Sequence, residues 1–322
     1  MAHIDELRLM TRVARMYYQM GLRQAEIAER LSLSQSTISR LLKRAEREQI
    51  VRITVSVPNG VYIELEEALV TRYALRDAIV ADCTNWEDEE EIKRSLGHAA
   101  AYYVESTLRR GECIGVSSWS TTLLAMADAM NPIARAKGAR IVQILGGASE
   151  SPARAQAVYL VNRLATLTGG EAIFLPVPVI VGSQEARDIL LQDPYVRSVI
   201  RLFDEVTIAF VGIGSLQPSP LLATSGNAFT PEEQALLARQ GAVGDVLQRF
   251  FDTWGRPVET PLDRRVIGMS LEQLKKVRRS VGIAGGRRKR KAILGAVRGG
   301  LINVLVTDRL TAEWLLEQNG EG

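Results

Sequence analysis

Two groups of side chains in this sequence have the types and the spacing to do chemistry. The first falls within ten residues: Gln35, Ser36, Thr37, Ser39, Arg40, Lys43 and Arg44. Gln, Ser, Thr and Arg are side chains that reach base edges in a major groove, and the later cations suit phosphates. Arg23 and Gln24, just upstream, are candidates for the same surface. The second group is spread over short loops. Ser117, Ser120, Thr121 and Thr122 open a helical pattern. Hydroxyls and backbone N–H groups at a helix start make an anion site, although ordinary capping by Ser120 or Thr121 uses the same residues. Gly146-Gly147 and Gly212-Ile213-Gly214 follow apolar runs and are either turns or places where a ligand approaches the backbone. Ala284-Gly285-Gly286 leads into Arg287-Arg288-Lys289-Arg290-Lys291. Cations at a helix N-terminus oppose the macrodipole, so either an anion sits there or the side chains bend into solvent. Asp245 precedes Val246–Phe251, which reads as a helical run; its carboxylate either accepts sugar hydroxyls or caps that helix.

The first group needs a rigid helix to present it. Residues 5–20 carry Leu7, Leu9, Met10, Val13, Ala14, Met16 and Tyr17 at helical spacing, with Gly21 as the stop. Arg23–Leu31 is a second, short helix, and Ser32-Leu33-Ser34 a tight turn with Ser34 as N-cap. A third helix spans Gln35–Gln49, with Ile38, Leu41, Leu42 and Ala45 inward. This is helix–turn–helix spacing, and Val51–Val57 alternates like the strand of a winged variant. A three-helix bundle without nucleic-acid binding is the alternative. Charge agrees with DNA. Residues 1–57 hold ten basic and six acidic residues, a net +4, so the rest of the chain, out of a total of +3, carries −1.

The loops need a sheet to gather them. Beyond Pro58, candidate strands Ala78–Ala81, Cys113–Val116, Arg140–Leu145, Val206–Val211, Val281–Ala284 and Ile302–Val306 alternate with helical patterns such as Glu89–Leu108, Thr121–Met130 and Pro152–Thr168. Alternation of this kind implies an α/β domain with a doubly wound, mainly parallel sheet, which binds ligands at the carboxyl ends of its strands. The glycine loops are not GxGxxG, so a dinucleotide fingerprint is not supported. Two His and two Cys among 322 residues exclude a His-rich metal centre, a zinc ribbon and a disulfide framework. No metal or cofactor is expected. The absence of a long apolar run or signal sequence points to a cytoplasmic protein without membrane partners.

Taken together, the sequence resembles the SorC family of bacterial transcriptional regulators, also called SorC/DeoR-type sugar-binding regulators. The residues that carry the resemblance are Gln24-Ala25-Glu26-Ile27-Ala28 with Ser36-Thr37-Ile38-Ser39-Arg40, Gly212-Ile213-Gly214-Ser215, Gly244-Asp245 with Phe250-Phe251-Asp252, Ala284-Gly285-Gly286 with Lys289, and Gly299–Asp308. The resemblance implies a helix–turn–helix domain over 1–57. It implies an effector-binding and oligomerisation domain over 58–322, similar to sugar-phosphate isomerases and deaminases. It also implies double-stranded operator DNA and a small sugar, sugar-phosphate or polyol as partners, assembly as homodimers or homotetramers, and no catalysis. By motif match, Ser120, Thr121 and Thr122 would hold a phosphate or the sugar end beside it, Asp245 would bind hydroxyls, and Lys289 would complete the anion site. Ser117, Gly146, Gly147, Gly214 and Gly286 line the same expected loops. Where the family commonly has Trp-Gly-Arg-Thr, this chain has Trp119-Ser120-Thr121-Thr122. The loop loses a cation, which leaves phosphorylated and unphosphorylated effectors both open. The competing hypothesis is an isomerase- or deaminase-type enzyme with a basic N-terminal unit, which would need a general base. Asp245 is the candidate, since His98 sits within a helical pattern ahead of the loops.

Overall fold

Apolar spacing along residues 7–45 closes three helices around one small core, in which Met10, Val13, Ile27, Ile38 and Ala45 are fully buried. The computed structural model describes residues 2–51, 60–83, 85–117, 120–147, 152–217 and 230–318. The chain divides into two units, Met1–Pro58 and Asn59–Gly322. In the first, α1 (Ala2–Ala14) continues as a π-helical turn, Arg15–Gln19, and the chain leaves it through Gly21 at φ +69°. The expected single helix thus changes pitch before it ends, and Tyr17 faces outward rather than into the core. Helix α2 (Gln24–Leu31) begins with Glu26 accepting the Arg23 backbone N–H at 2.7 Å. The turn then places Ser32 at φ 53°, and the Leu33 N–H closes on the Ala28 carbonyl at 2.9 Å. Ser34 caps α3 (Gln35–Arg47) by accepting the Thr37 N–H at 3.2 Å. The expected wing, apart from Val51, lies outside the described residues.

The second unit is built on seven strands: β1 (Asp77–Ala81), β2 (Cys113–Val116), β3 (Arg140–Gln143), β4 (Glu171–Ile173), β5 (Ile208–Gly212), β9 (Arg279–Ile283) and β10 (Val304–Asp308). Their order is β1-β10-β9-β5-β2-β3-β4, and every pairing is parallel. Both faces are covered, as a parallel sheet requires. On β5, Ile208 and Phe210 enter one core while Ala209 and Val211 enter the other; on β10, Val304 and Val306 oppose Leu305 in the same way. Two helices pack on the β1–β10 edge of the sheet. Helix α4 (Ile63–Tyr73) follows the inter-unit segment, and α13 (Arg309–Glu317) follows β10. They are joined by the Tyr73 hydroxyl, which donates to the Leu315 carbonyl at 2.6 Å, and by Arg72, which donates to the Gln318 carbonyl.

One expectation from sequence fails here. Val246–Phe251 is not helical. It forms a hairpin of β7 (Gly244–Val246) and β8 (Arg249–Phe251), extended by β6 (Gly214–Ser215) into a small antiparallel sheet. Val246 pairs with Arg249 across a two-residue turn, Leu247-Gln248, with both residues at φ 57°. That is the positive-φ turn that matches strand twist, here made without glycine. Asp245 therefore caps no helix.

Candidate functional site

The face of α3 opposite its buried stripe (Ile38, Leu41, Leu42, Ala45) presents Ser36, Arg40, Lys43 and Arg47, all exposed. At 100° per residue these four fall within one quadrant. Arg23 and Gln35 are also exposed, whereas Gln24, Thr37 and Ser39 are half-buried. The Thr37 hydroxyl is engaged with Ser34 at 2.8 Å and accepts from Arg40 at 3.4 Å, which steadies the start of the helix. Arg44 departs from the expectation. Its guanidinium donates to Glu6 of α1 and to Glu48, so it braces the three-helix unit instead of waiting for a phosphate.

In the second unit the chain order sets where a ligand can enter. From β2 the chain proceeds to β3 on one side, and from β5 to β9 on the other, while β2 and β5 are neighbours. The loops leaving β2 and β5 therefore diverge, and a crevice opens beyond their carboxyl ends. A cavity of about 590 Å³ occupies it. It takes Ser117 and Ser120–Thr122 from the β2 loop, Gly212–Ser215 from the end of β5, Asp245 and Gln248 from the hairpin, and Gly286–Lys289 from the β9 loop. The start of α5 (Glu89–Thr107) closes the mouth.

Of the expected effector residues, Ser117, Ser120, Thr121, Thr122, Gly214, Asp245, Gly286 and Lys289 come together here. Their duties differ. Ser120 is the N-cap of α6 (Thr121–Ala129), its Oγ accepting the Leu123 N–H at 3.3 Å. Gly214 makes room for a neighbour: a Cβ there would lie 2.0 Å from Asp245 Oδ1. The Gly286 N–H is not available to an anion, because it donates to Asp308 Oδ2 at 2.7 Å. The same carboxylate caps α13 through the Thr311 N–H at 2.9 Å and accepts the Thr311 hydroxyl at 2.7 Å. Gly146 and Gly147 do not line the cavity. A Cβ on Gly146 would collide with the Pro178 carbonyl at 2.5 Å, so this glycine serves close packing of two backbone segments.

The basic cluster also resolves residue by residue. Arg288 pairs with Glu89 at 2.9 Å and donates to Gln217 at 3.2 Å, and Arg290 donates to the Leu310 carbonyl at 2.9 Å. Arg287 and Lys291 are exposed. Lys289 turns toward the cavity, where burial pushes its pKa down while Asp245 opposes that shift. Asp245 is itself buried, and the loss of solvent raises its pKa from 3.8 to about 6 despite the Gln248 N–H and the Lys289 charge. Gln248, which the sequence reading missed, is the third polar group of this floor. Its N–H and its side-chain amide both donate to Asp245 Oδ2, at 3.0 and 3.4 Å. Its own Oε1 is buried without a partner among the described residues. A second cleft, of about 580 Å³, is lined by Arg187, Arg249 and Asp263 among others. None of the expected residues reaches it, and the two terminal nitrogens of Arg249 donate to the Asp263 and Val266 carbonyls.

Comparison with known proteins bears on both units. Residues 58–317 match the family described as "Putative sugar-binding domain", and residues 6–51 match a homeodomain-like domain. The chain is 33% identical to the deoxyribonucleoside regulator of Bacillus subtilis, covering 97% of this chain and 98% of that protein. It is 32% identical to the sorbitol operon regulator of Klebsiella pneumoniae, covering 98% of this chain and 100% of that one. The solved structure of the full-length Klebsiella pneumoniae protein superposes with a TM-score of 0.73, at 30% identity, over 97% of this chain and 99% of that one.

Proposed function

We propose that this chain, which belongs to the SorC family of sugar-binding transcriptional regulators, reads an operator with the outward face of α3 and senses its effector in the cavity beyond β2 and β5. It is a DNA-binding regulator of carbohydrate or polyol catabolism whose operator binding is controlled by a small sugar, sugar phosphate or polyol. The observation that carries this reading is the joining of a helix–turn–helix unit to a sugar-binding domain matched over residues 58–317. Arg40, Lys43 and Ser36 are the contacts to DNA, with Arg23, Gln24 and Gln35 beside them. Asp245, Lys289 and the hydroxyls of Ser117, Thr121 and Thr122 are the contacts to effector. The chain works as a homodimer or homotetramer in the cytoplasm, each dimer setting two copies of α3 into major grooves about 34–36 Å apart. Effector binds one arrangement of the effector domains better than the other and shifts the DNA-competent population by that difference.

The enzyme reading has one observation in its favour, a cavity carboxylate with a pKa of about 6, which suits a general base. Against it, His98 is exposed on α5, bonded to the Arg94 carbonyl at 2.8 Å, and does not line the cavity. The test is operator binding by fluorescence anisotropy, with and without candidate effectors, beside an assay for ketose formation from aldose phosphates. Effector-dependent operator binding without turnover is expected. Turnover without duplex binding at low salt would reverse the assignment.

A further inference from the structure

Three features of the cavity floor and mouth bear on what kind of effector fits. First, among the described residues the lining charge cancels. Glu87, Glu89, Glu90 and Asp245 face Lys93, Arg287, Arg288 and Lys289, four of each sign. At the mouth the cancellation is direct, since Arg288 pairs with Glu89 and Lys93 with Glu90. Second, the Gly286 N–H of the β9 loop is already committed to Asp308 and is not offered to an anion. Third, two buried acceptors of the floor ask for donors. Gln248 Oε1 is buried without a partner among the described residues, and Asp245 adds a carboxylate beside it.

Leaving a buried acceptor unsatisfied is costly, so a ligand that supplies an O–H there recovers that cost. A phosphate dianion placed on this floor has no proton to donate to Gln248 Oε1 and would face the Asp245 carboxylate. A hydroxyl can do what the floor requires. Asp245 and Lys289 influence one another without forming an ion pair among the described residues. One O–H group between them can donate to the carboxylate while accepting from the ammonium.

We propose that the effector is an unphosphorylated polyhydroxylated compound, a polyol or free sugar, whose hydroxyls donate to Gln248 Oε1 and Asp245 and accept from Lys289. This rests on the sensor reading above and narrows its ligand class. Gln248 is then the residue that selects a hydroxyl donor, and the Arg288–Glu89 pair is the device that keeps the mouth from attracting anions. A site built around buried hydrogen-bonding groups rejects a ligand that leaves them unpaired far more strongly than an apolar pocket would.

The experiment is calorimetric titration of the full chain with a panel of four- to six-carbon polyols and aldoses, each beside its own monophosphate, with inorganic phosphate as control. At least one neutral compound should bind about tenfold or more tighter than its ester, and Gln248→Ala should weaken it by at least about tenfold, a loss of roughly 1.4 kcal/mol. The unliganded melting temperature of Gln248→Ala shows whether the variant is folded. The exposed pair gives a second, independent variant. Glu89→Gln frees Arg288 and should narrow the preference by improving ester binding several-fold. Tighter binding of the esters by the unaltered chain would overturn the proposal while leaving the sensor reading intact. An unchanged preference in Glu89→Gln would also count against it. Binding of neither class would defeat both readings.

Discussion

Arg40 and Arg44 lie one helical turn apart on α3 and have different duties. Arg40 projects from the exposed face and, among the described residues, hydrogen-bonds only to Thr37, whereas Arg44 joins Glu6 and Glu48. Arg40→Ala should cost operator affinity about 1–3 kcal/mol if the side chain reads a base, with the melting temperature unchanged. Arg44→Ala should lower the melting temperature of the N-terminal unit, and weaken operator binding only to the extent that the unit unfolds. Thermal melts run beside anisotropy separate the two; equal effects on binding with no change in melting would restore Arg44 to the DNA surface. Asp245 gives a pH prediction. Its folded pKa, about 6, exceeds its ordinary value of 3.8. Between roughly pH 4 and 6 the folded chain therefore binds more protons than the unfolded chain, and stability falls as pH rises through that window. At 1.36 kcal/mol per unit the loss is of the order of 3 kcal/mol, complete above the folded pKa. Urea unfolding across that range should show the slope, and Asp245→Asn should flatten it.

Among the elements, the hairpin β7–β8 concentrates both strain and function. Leu247 and Gln248 hold positive φ without glycine, a conformation costing about 1–2 kcal/mol per residue for L-amino acids. The reward is geometric: Gln248 is turned under the cavity, with its N–H on Asp245. Gln248→Gly should relax the backbone and keep the chain about as stable as before, within roughly 1 kcal/mol, while effector binding is lost. A large drop in unfolding free energy would mean that the side chain is structural. This hairpin is also where sequence reading fell short. A two-residue turn announces itself through Asn-Gly or Asp-Gly, and Leu-Gln carries neither signal. The run Val246–Phe251 then reads as one apolar helical segment. The long helices and the buried strands were legible because their patterns, a 3.6 period for α3 and α5 and the apolar runs Ile208–Val211 of β5 and Val304–Val306 of β10, are set by burial. The loop after β2 and Lys289 in the loop after β9 were legible because loops that follow parallel strands gather at one end of the sheet, whereas Asp245, on the antiparallel β7, was singled out only by the Gly244-Asp245 motif. Glu89 was not, since its approach to Arg288 joins residues 199 apart in sequence. Gly146 was misjudged for a related reason, as only the fold brings the Pro178 backbone against it.

At the level of the whole molecule the net charge of +3 is nearly neutral, but it is the sum of a basic head and a slightly acidic body. Operator affinity should therefore fall steeply with salt, log K declining linearly with log salt as released counterions are counted, while effector affinity changes little. Filter binding and calorimetry over one salt series compare the two directly, and a flat operator curve would remove phosphate contact from the mechanism. Effector binding should not require DNA. The cavity is formed wholly by the second unit, and ligand binding there should raise the melting temperature of the isolated ligand–protein complex by mass action.

The Asp308 carboxylate has a mechanical consequence. It is a rivet: one end clamps the Gly286 amide at the cavity and the other pins the first turn of α13. From α13 the linkage runs on through the Leu315 and Gln318 carbonyls into the last turn of α4, whose first turn begins five residues after Pro58. A ligand that tightens the Lys289 loop should therefore stiffen α13 and α4 within the second unit. Amide hydrogen exchange should slow in α4 and α13 when the effector binds, although neither helix touches it, and Asp308→Asn should uncouple that slowing from binding itself.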